Sequence, residues 1–318
     1  MVIQDDIVPA PGFAAAVLQL VTARPDAVIA LSTNSDSPCN SWQVRSAAVA
    51  GQSYANLVPW EWTPSLALIM PHELAREVAS HLQALPSTMK ADDLAIGDFL
   101  RDHKVRVLTP IPHLVDHGGS DSVAGNMDEG PRHATVFAGR PGATLPDWSR
   151  IAHLERASLD GKPEDYLHTV TLQDSRCLVD TPIQGDELWP AKRRWRIWGH
   201  WPEQVEFFGV TRREVLTDAE QSRVGLIPAL PGHLMNEIWA AGFLLGLDAS
   251  RRQWVEAPPP AGVLGSAAMA SLRSWLEVGL RTSHLDVIGP AEMETLINYC
   301  AQAVRRGGTA SRSDPRAD

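Results

Sequence analysis

MVIQDDIVPAPGF (Met1–Phe13) governs the reading of the whole chain. Val2–Gln4 reads as the end of a buried strand, and two adjacent carboxylates, Asp5 and Asp6, follow it at once. A Pro/Gly turn then leads into FAAAVLQLVTA, an amphipathic helical pattern that stops near Pro25. Strand, turn and helix in this order build open α/β sheets, which bind ligands outside the carboxyl ends of their strands. Paired acids there repel unless a cation or a donor compensates. Mg²⁺ and Mn²⁺ accept such oxygen ligands and usually keep substrate phosphate as a partner. The plainer reading is an exposed acidic turn ahead of the helix near Phe13.

Further along, strand-like and helix-like pieces alternate. Ala27–Thr33 (AVIALST) and Ser65–Met70 (SLALIM) are short apolar runs and read as buried strands. Between them, Ser35–Tyr54 is polar and reads as a loop. Pro71–Leu85 reads as a helix with proline at an early position, and Ala91–His103 as a helix with acids in its first turn. Val105–His117 (VRVLTPIPHLVDH) reads as a third strand that breaks at its prolines. The alternation predicts an α/β domain with a mostly parallel sheet over residues 1–145.

The Pro/Gly/Asp-rich stretch Gly139–Arg150 marks a boundary. Beyond it the chain is rich in tryptophan and reads as mainly helical over 146–306, with Leu230–Leu247 and Ser266–Arg281 the clearest helices. Val255–Gly262 (VEAPPPAG) reads as a linker, and 307–318 as a disordered tail. The chain has no internal repeat.

The composition limits the function classes. The 318 residues carry 28 Lys and Arg against 38 Asp and Glu, a net charge of −10. That argues against nucleic acid and against an anionic membrane surface as partners. It leaves room for a phosphate-bearing ligand, because a bound metal ion supplies positive charge locally. The three cysteines, Cys39, Cys177 and Cys300, form no CxxC pair, so neither a zinc ribbon nor a disulfide framework is expected. No apolar segment is long enough to span a bilayer, and the first residues do not resemble a signal peptide; a cytoplasmic location is expected.

Two further groups of residues carry possible chemistry. Asp92 and Asp93 open a helix. As local structure they are a cap and a dipole-compensating acid; as chemistry, one of them is a general base for a substrate hydroxyl. PIPHLVDHGGSDS (Pro110–Ser122) brings His113, Asp116 and His117 to a strand end, followed by Gly118, Gly119 and Ser120. A histidine beside a glycine turn reaches a metal or phosphate while backbone N–H groups remain available. Arg132 is either a phosphate partner or a surface charge. In the second half, Trp189–Gly209 mixes four tryptophans with Lys192, Arg193, Arg194 and Arg196. It reads first as a small aromatic core with solvated charges, and secondly as a stacking surface for sugars or single-stranded nucleic acid. His233 and Glu237 lie at i, i+4 without an HExxH pattern and read as ordinary helix positions.

Taken in order, QDDIVPAPGF, SLALIMPHELA, KADDLAIGDFL and PIPHLVDHGGSDS resemble GT-A-fold glycosyltransferases. The nearest likeness is to bacterial and phage-type proteins of the lipooligosaccharide and procollagen galactosyltransferase group. The resemblance covers residues 2–137. It implies a partial GT-A-like, Rossmann-like sheet followed by a helical accessory domain. It also implies a divalent metal, Mn²⁺ or Mg²⁺, held by Asp5, Asp6 and His117. A nucleotide-sugar donor would lie near Asp5, Ser120 and Arg132, and Asp93 or Asp92 would be the acceptor-side base. In that fold, βαβ units precede the acidic motif, whereas only four residues precede Asp5 here. The chain is therefore expected to begin partway through its domain and to need a partner or self-association to cover an exposed sheet edge. The alternative is a non-catalytic binding or assembly module on a degenerate transferase fold. A metal-dependent hydrolase would need more ligands than the sequence offers.

Overall fold

The computed structural model describes residues 1–86, 92–118, 132–140, 143–146, 148, 168–181, 197–223, 226–227, 229–252 and 263–310. The chain divides into two compact units. The first takes in the described residues of Met1–Val44 and Ser53–Pro163. The second takes in those of Arg45–Gln52, Glu164–Gln184 and Arg196–Asp318.

The first unit is mixed α/β. Its strands are β1 (Val2–Ile3), β2 (Ile7–Pro9), β3 (Val28–Ala30), β4 (Tyr54–Asn56), β5 (Ala67–Ile69), β6 (Val107–Pro110) and β7 (Val115–His117). Its helices are α1 (Phe13–Ala23), α3 (His72–Ala84) and α4 (Asp92–Asp102), together with the part of α2 (Pro38–Val49) up to Val44; α2 from Arg45 onward belongs to the second unit. Five strands form one sheet in the order β1-β5-β3-β6-β4, and β2 pairs with β7 in a separate ribbon.

The expectation of a mostly parallel sheet is corrected here. Within the five-stranded sheet only β3 and β6 pair in parallel; β1–β5, β3–β5 and β4–β6 are antiparallel. Alternation predicts parallel strands only where a helix carries the chain back between neighbours. No helix lies between β4 and β5, and β5 enters between β1 and β3 against their direction. β1, β3 and β6 nonetheless run the same way, so the Asp5–Asp6 turn lies at the edge where β3 and β6 end.

One core layer of this unit joins Val28, Ala30, Leu57, Leu68 and Val107 of the sheet region to Val78 of α3 and Ile96, Phe99 and Leu100 of α4. The spacing in α4 gives the helix its buried stripe. Each large side chain buried in this way contributes roughly 1.5–3 kcal/mol. α1 starts after Gly12, whose φ of 75° is left-handed, and it buries only Ala16 and Leu20. β1 lies at the sheet edge with Val2 and Ile3 exposed.

The second correction concerns Ser35–Tyr54, which is helix α2 and the start of strand β4 rather than loop. Asn40, Ser41, Gln43, Arg45 and Ser46 are all buried. A helix enclosed by protein and lined with small polar residues shows no apolar stripe, so periodicity misses it.

The second unit contains β8 (Thr169–Gln173), β9 (Arg176–Thr181) and β10 (Ile197–His200), an antiparallel sheet ordered β10-β9-β8. Its helices are α5 (Trp201–Gln204), α6 (Arg212–Arg223), α7 (Gly232–Arg251), α8 (Ser266–Gly279), α9 (Thr282–Leu285) and α10 (Pro290–Ala310). The expected helical half thus also contains a sheet. α10 runs through Ala310, so residues 307–310 belong to a helix and not to a disordered tail; 311–318, like the 255–262 linker, lie outside the described residues.

α7 is buried along most of its length, and glycines set its approach to α10. A Cβ at Gly246 would overlap the Val304 carbonyl, and one at Gly307 the Phe243 carbonyl. Arg45, 1% exposed, lies over the Trp275 ring at 5.2 Å, and its Nε donates to the Ser271 carbonyl at 3.4 Å.

Candidate functional site

The ribbon of β2 and β7 builds the site. Its register sets Ile7 opposite His117, Val8 opposite Asp116 and Pro9 opposite Val115. The ladder continues as the Gly118 amide donates to the Asp6 carbonyl at 2.7 Å. A side chain at 118 would bring a Cβ to 3.0 Å from that oxygen, so glycine permits the approach.

This register brings two predicted residues together. Asp6 Oδ2 lies 3.0 Å from His117 Nε2, with the side chains 32% and 16% exposed. Asp6 Oδ1 is buried and has no hydrogen-bond partner among the described residues. A carboxylate oxygen withdrawn from water without a donor is costly, and a cation or ligand donor would satisfy it.

Asp116 and His117 are neighbours on β7, so their side chains leave on opposite faces. Asp116 ties the ribbon to the chain beyond it. Its Oδ1 accepts the amides of His117 at 2.9 Å and Ala134 at 2.6 Å, and its Oδ2 lies 3.5 Å from His133 Nδ1. His113 is separate again. It is fully buried, with Nδ1 donating to the Pro110 carbonyl at 2.7 Å and lying 3.3 Å from Thr109 Oγ1. The three residues grouped by sequence therefore divide, and only His117 meets Asp6.

Asp92 and Asp93 sit in the first turn of α4. Asp92 Oδ1 accepts the Asp93 amide at 2.9 Å, and Asp93 Oδ1 accepts the Leu94 amide at 2.7 Å. The Asp93 carbonyl accepts the Thr63 amide at 3.3 Å. Three residues past Thr63, the Leu66 carbonyl accepts the Gln4 amide at 3.0 Å. The start of α4 and the Asp5–Asp6 turn are thus joined by roughly 10 Å of chain at one sheet edge. No contact joins the Asp92 or Asp93 side chains to Asp6 or His117 among the described residues. Asp5 occupies the turn beside Asp6, Arg132 is partly buried, and Ser120 lies outside the described residues.

A residue that sequence reading missed anchors the same unit. Glu61 accepts the Ser37 hydroxyl at 2.7 Å and the amides of Cys39 at 3.1 Å and Asn40 at 2.5 Å, at the front of α2. Nothing local to Glu61 signals this, because its partners lie more than twenty residues earlier.

In the second unit Glu237 is not an ordinary helix position. It is buried, accepts the Cys177 amide at 2.7 Å and pairs with His200 at 2.9 Å, while His233 is exposed. Burial, then Glu237 and Cys300, push the Cys177 thiol well up. Of the tryptophan-rich stretch, 189–196 lies outside the described residues; within the rest, Trp201 is buried.

Asp6 and His117 set one carboxylate and one imidazole side by side. No group of three or more His, Cys, Asp or Glu side chains converges among the described residues. Mg²⁺ and Mn²⁺ are held by one or two protein ligands, with water and substrate phosphate completing the shell. Among the described residues no helix is long and apolar enough to cross a membrane. No protein-family model, curated protein or solved structure matches the chain.

Proposed function

We propose that the chain is a metal-dependent glycosyltransferase domain that takes a nucleotide-sugar donor and passes the sugar to a hydroxyl acceptor. The observation that carries this reading is the buried Oδ1 of Asp6, which has no partner among the described residues. The other oxygen of the same carboxylate lies 3.0 Å from His117 Nε2 at the carboxyl edge of the sheet. Asp6 and His117 would hold Mn²⁺ or Mg²⁺, with Asp5 beside them. Bound there, the ion neutralises charge on the donor diphosphate. The chain's own residues do the rest. Gly118 lets the ribbon close so that His117 faces Asp6. The first turn of α4 offers Asp92, which is exposed, and Asp93 as carboxylates that take the acceptor's proton.

A second reading rests on the same pair. An aspartate bridged to a histidine across a ribbon closes that ribbon without any ligand, which suits a non-catalytic binding module. Calorimetric titration of the 318-residue chain with UDP-, GDP- and dTDP-sugars, with and without Mn²⁺, separates the two. Metal-dependent binding that Asp6→Ala removes supports the transferase. Absence of binding to every donor with the fold intact favours the module.

A further inference from the structure

The loop between β4 and β5 carries an aromatic side chain that the proposed ion site does not use. Buried Asn40 closes this loop at its base. Its Oδ1 accepts the Val58 amide at 2.9 Å, and its Nδ2 donates to the Trp62 carbonyl at 3.2 Å. Glu61, between Trp60 and Trp62, is held by the front of α2. The next residue, Thr63, donates its amide to the Asp93 carbonyl at 3.3 Å. The backbone on both sides of the Trp62 side chain is thus anchored, and little of it remains to be ordered when a ligand arrives.

Trp62 differs from its neighbours. The indole nitrogens of Trp42, Trp60 and Trp148 are buried. Trp62 is half-buried, and among the described residues its indole nitrogen is neither buried nor hydrogen-bonded. Such an indole offers an apolar ring and an open N–H donor together. Its position narrows the ligand. The Thr63–Asp93 hydrogen bond holds the Cα atoms of Trp62 and Asp93 within about 8 Å of each other. Asp92, beside Asp93, is exposed. Carboxylates there repel an anion and accept hydrogen bonds from hydroxyls. A pyranose ring satisfies both demands, with C–H groups on one face and hydroxyls around its rim.

We propose that Trp62 is the stacking face of the acceptor subsite and that the acceptor is a neutral carbohydrate. The proposal rests on the reading of Asp92 and Asp93 as the acceptor-side carboxylates. The pyranose C–H groups lie on the indole, whose N–H donates to a sugar oxygen, and one hydroxyl faces the first turn of α4. In the transfer, the bond between the anomeric carbon and the phosphate oxygen breaks and its electron pair goes to that oxygen. The anomeric carbon bonds the acceptor oxygen, whose proton goes to a carboxylate at the start of α4. Trp62 takes no part in the proton transfer; it fixes which hydroxyl is presented.

The test is fluorine NMR on the full chain made with fluorotryptophan and titrated with methyl hexopyranosides, lactose and cellobiose, and separately with tetramethylammonium. The Trp62 resonance is assigned by its loss in Trp62→Phe. Saturable movement of that resonance at millimolar glycoside is expected, with glycoside binding about tenfold weaker in Trp62→Ala and largely kept in Trp62→Phe. A resonance that stays still with every glycoside overturns the proposal. So does movement with tetramethylammonium alone, which would make the ring a cation site. The glycosides carry no phosphate and need no metal, so this readout does not pass through Asp6. Metal-dependent donor binding beside a still Trp62 resonance removes the sugar face and leaves the transferase reading standing. A moving resonance in a chain that binds no donor upholds the sugar contact and sinks the transferase reading instead.

Discussion

The Glu61 carboxylate accepts the Asn40 amide at 2.5 Å across 21 residues of chain, and in doing so caps α2 from outside its own sequence. The first-turn amides of a helix need acceptors, and a negative charge there is favourable. Glu61→Ala leaves the Cys39 and Asn40 amides and the Ser37 hydroxyl without this acceptor. A loss of about 1–3 kcal/mol in unfolding free energy is expected. Glu61→Gln, which keeps one carbonyl acceptor, should lose less. Urea unfolding of the two variants checks the order.

The α7–α10 crossing makes a sharper prediction. Gly246→Ala and Gly307→Ala each force a methyl group into a backbone carbonyl of the facing helix. Backbone cannot rotate aside as a side chain does, so each should cost about 3 kcal/mol or more. Gly265 is the control, because a Cβ added there meets nothing within 4 Å among the described residues. Gly265→Ala replaces only the N-cap glycine of α8 and should cost about 1 kcal/mol or less. Equal unfolding midpoints for Gly246→Ala and Gly265→Ala would contradict the described packing.

A pH effect follows from α6. Thr211 and Glu214 form a reciprocal cap: Glu214 Oε2 accepts the Thr211 hydroxyl at 2.7 Å and the Thr211 amide at 2.6 Å. The Thr211 side-chain and backbone hydrogen bonds hold the Glu214 carboxyl below the ordinary glutamate value. A carboxyl lowered in the folded state adds stability above its unfolded pKa and loses it as pH falls through its folded pKa. The acid-side decline should therefore be shallower in Glu214→Gln than in the parent chain. Urea midpoints measured at a series of acidic pH values test this, and parallel curves would contradict it.

Thiol chemistry gives a fourth check. Cys177 and Cys300 are buried in the folded unit. Burial raises the Cys300 thiol to about 12, with Arg45 opposing, and burial followed by Glu237 and Cys300 raises Cys177 well above the ordinary thiol value. The thiolate is the reactive form. Neither cysteine should label with a disulfide reagent at about pH 8 until the chain unfolds, and labelling should then track the unfolding curve.

The sequence carried the pieces of this fold better than their arrangement. α3 and α4 were legible because apolar residues recur on one face and because proline or acids mark their starts. Sheet direction was not legible, because strand polarity depends on which strands become neighbours, as β5 shows by entering between β1 and β3. α2 was hidden because buried polar residues erase the stripe. At the site, Asp6 and His117 were legible as types near strand ends, but their meeting depends on a pairing across roughly 110 residues. Glu61 gave no local sign, since it acquires its role from partners supplied by distant chain.

The β2–β7 ladder also protects itself against misalignment. Strand pairs can slide by one residue, and each slide turns every side chain to the opposite face. In this ribbon a one-residue slide would bring the Asp116 carboxylate to the position His117 holds opposite the Asp6 turn. Attraction between an acid and an imidazole would become repulsion between two acids. It would also move the Asp116 carboxylate away from the Ala134 amide. The neighbouring acid and histidine on β7 thus encode which alignment is allowed, whether or not a ligand is ever bound.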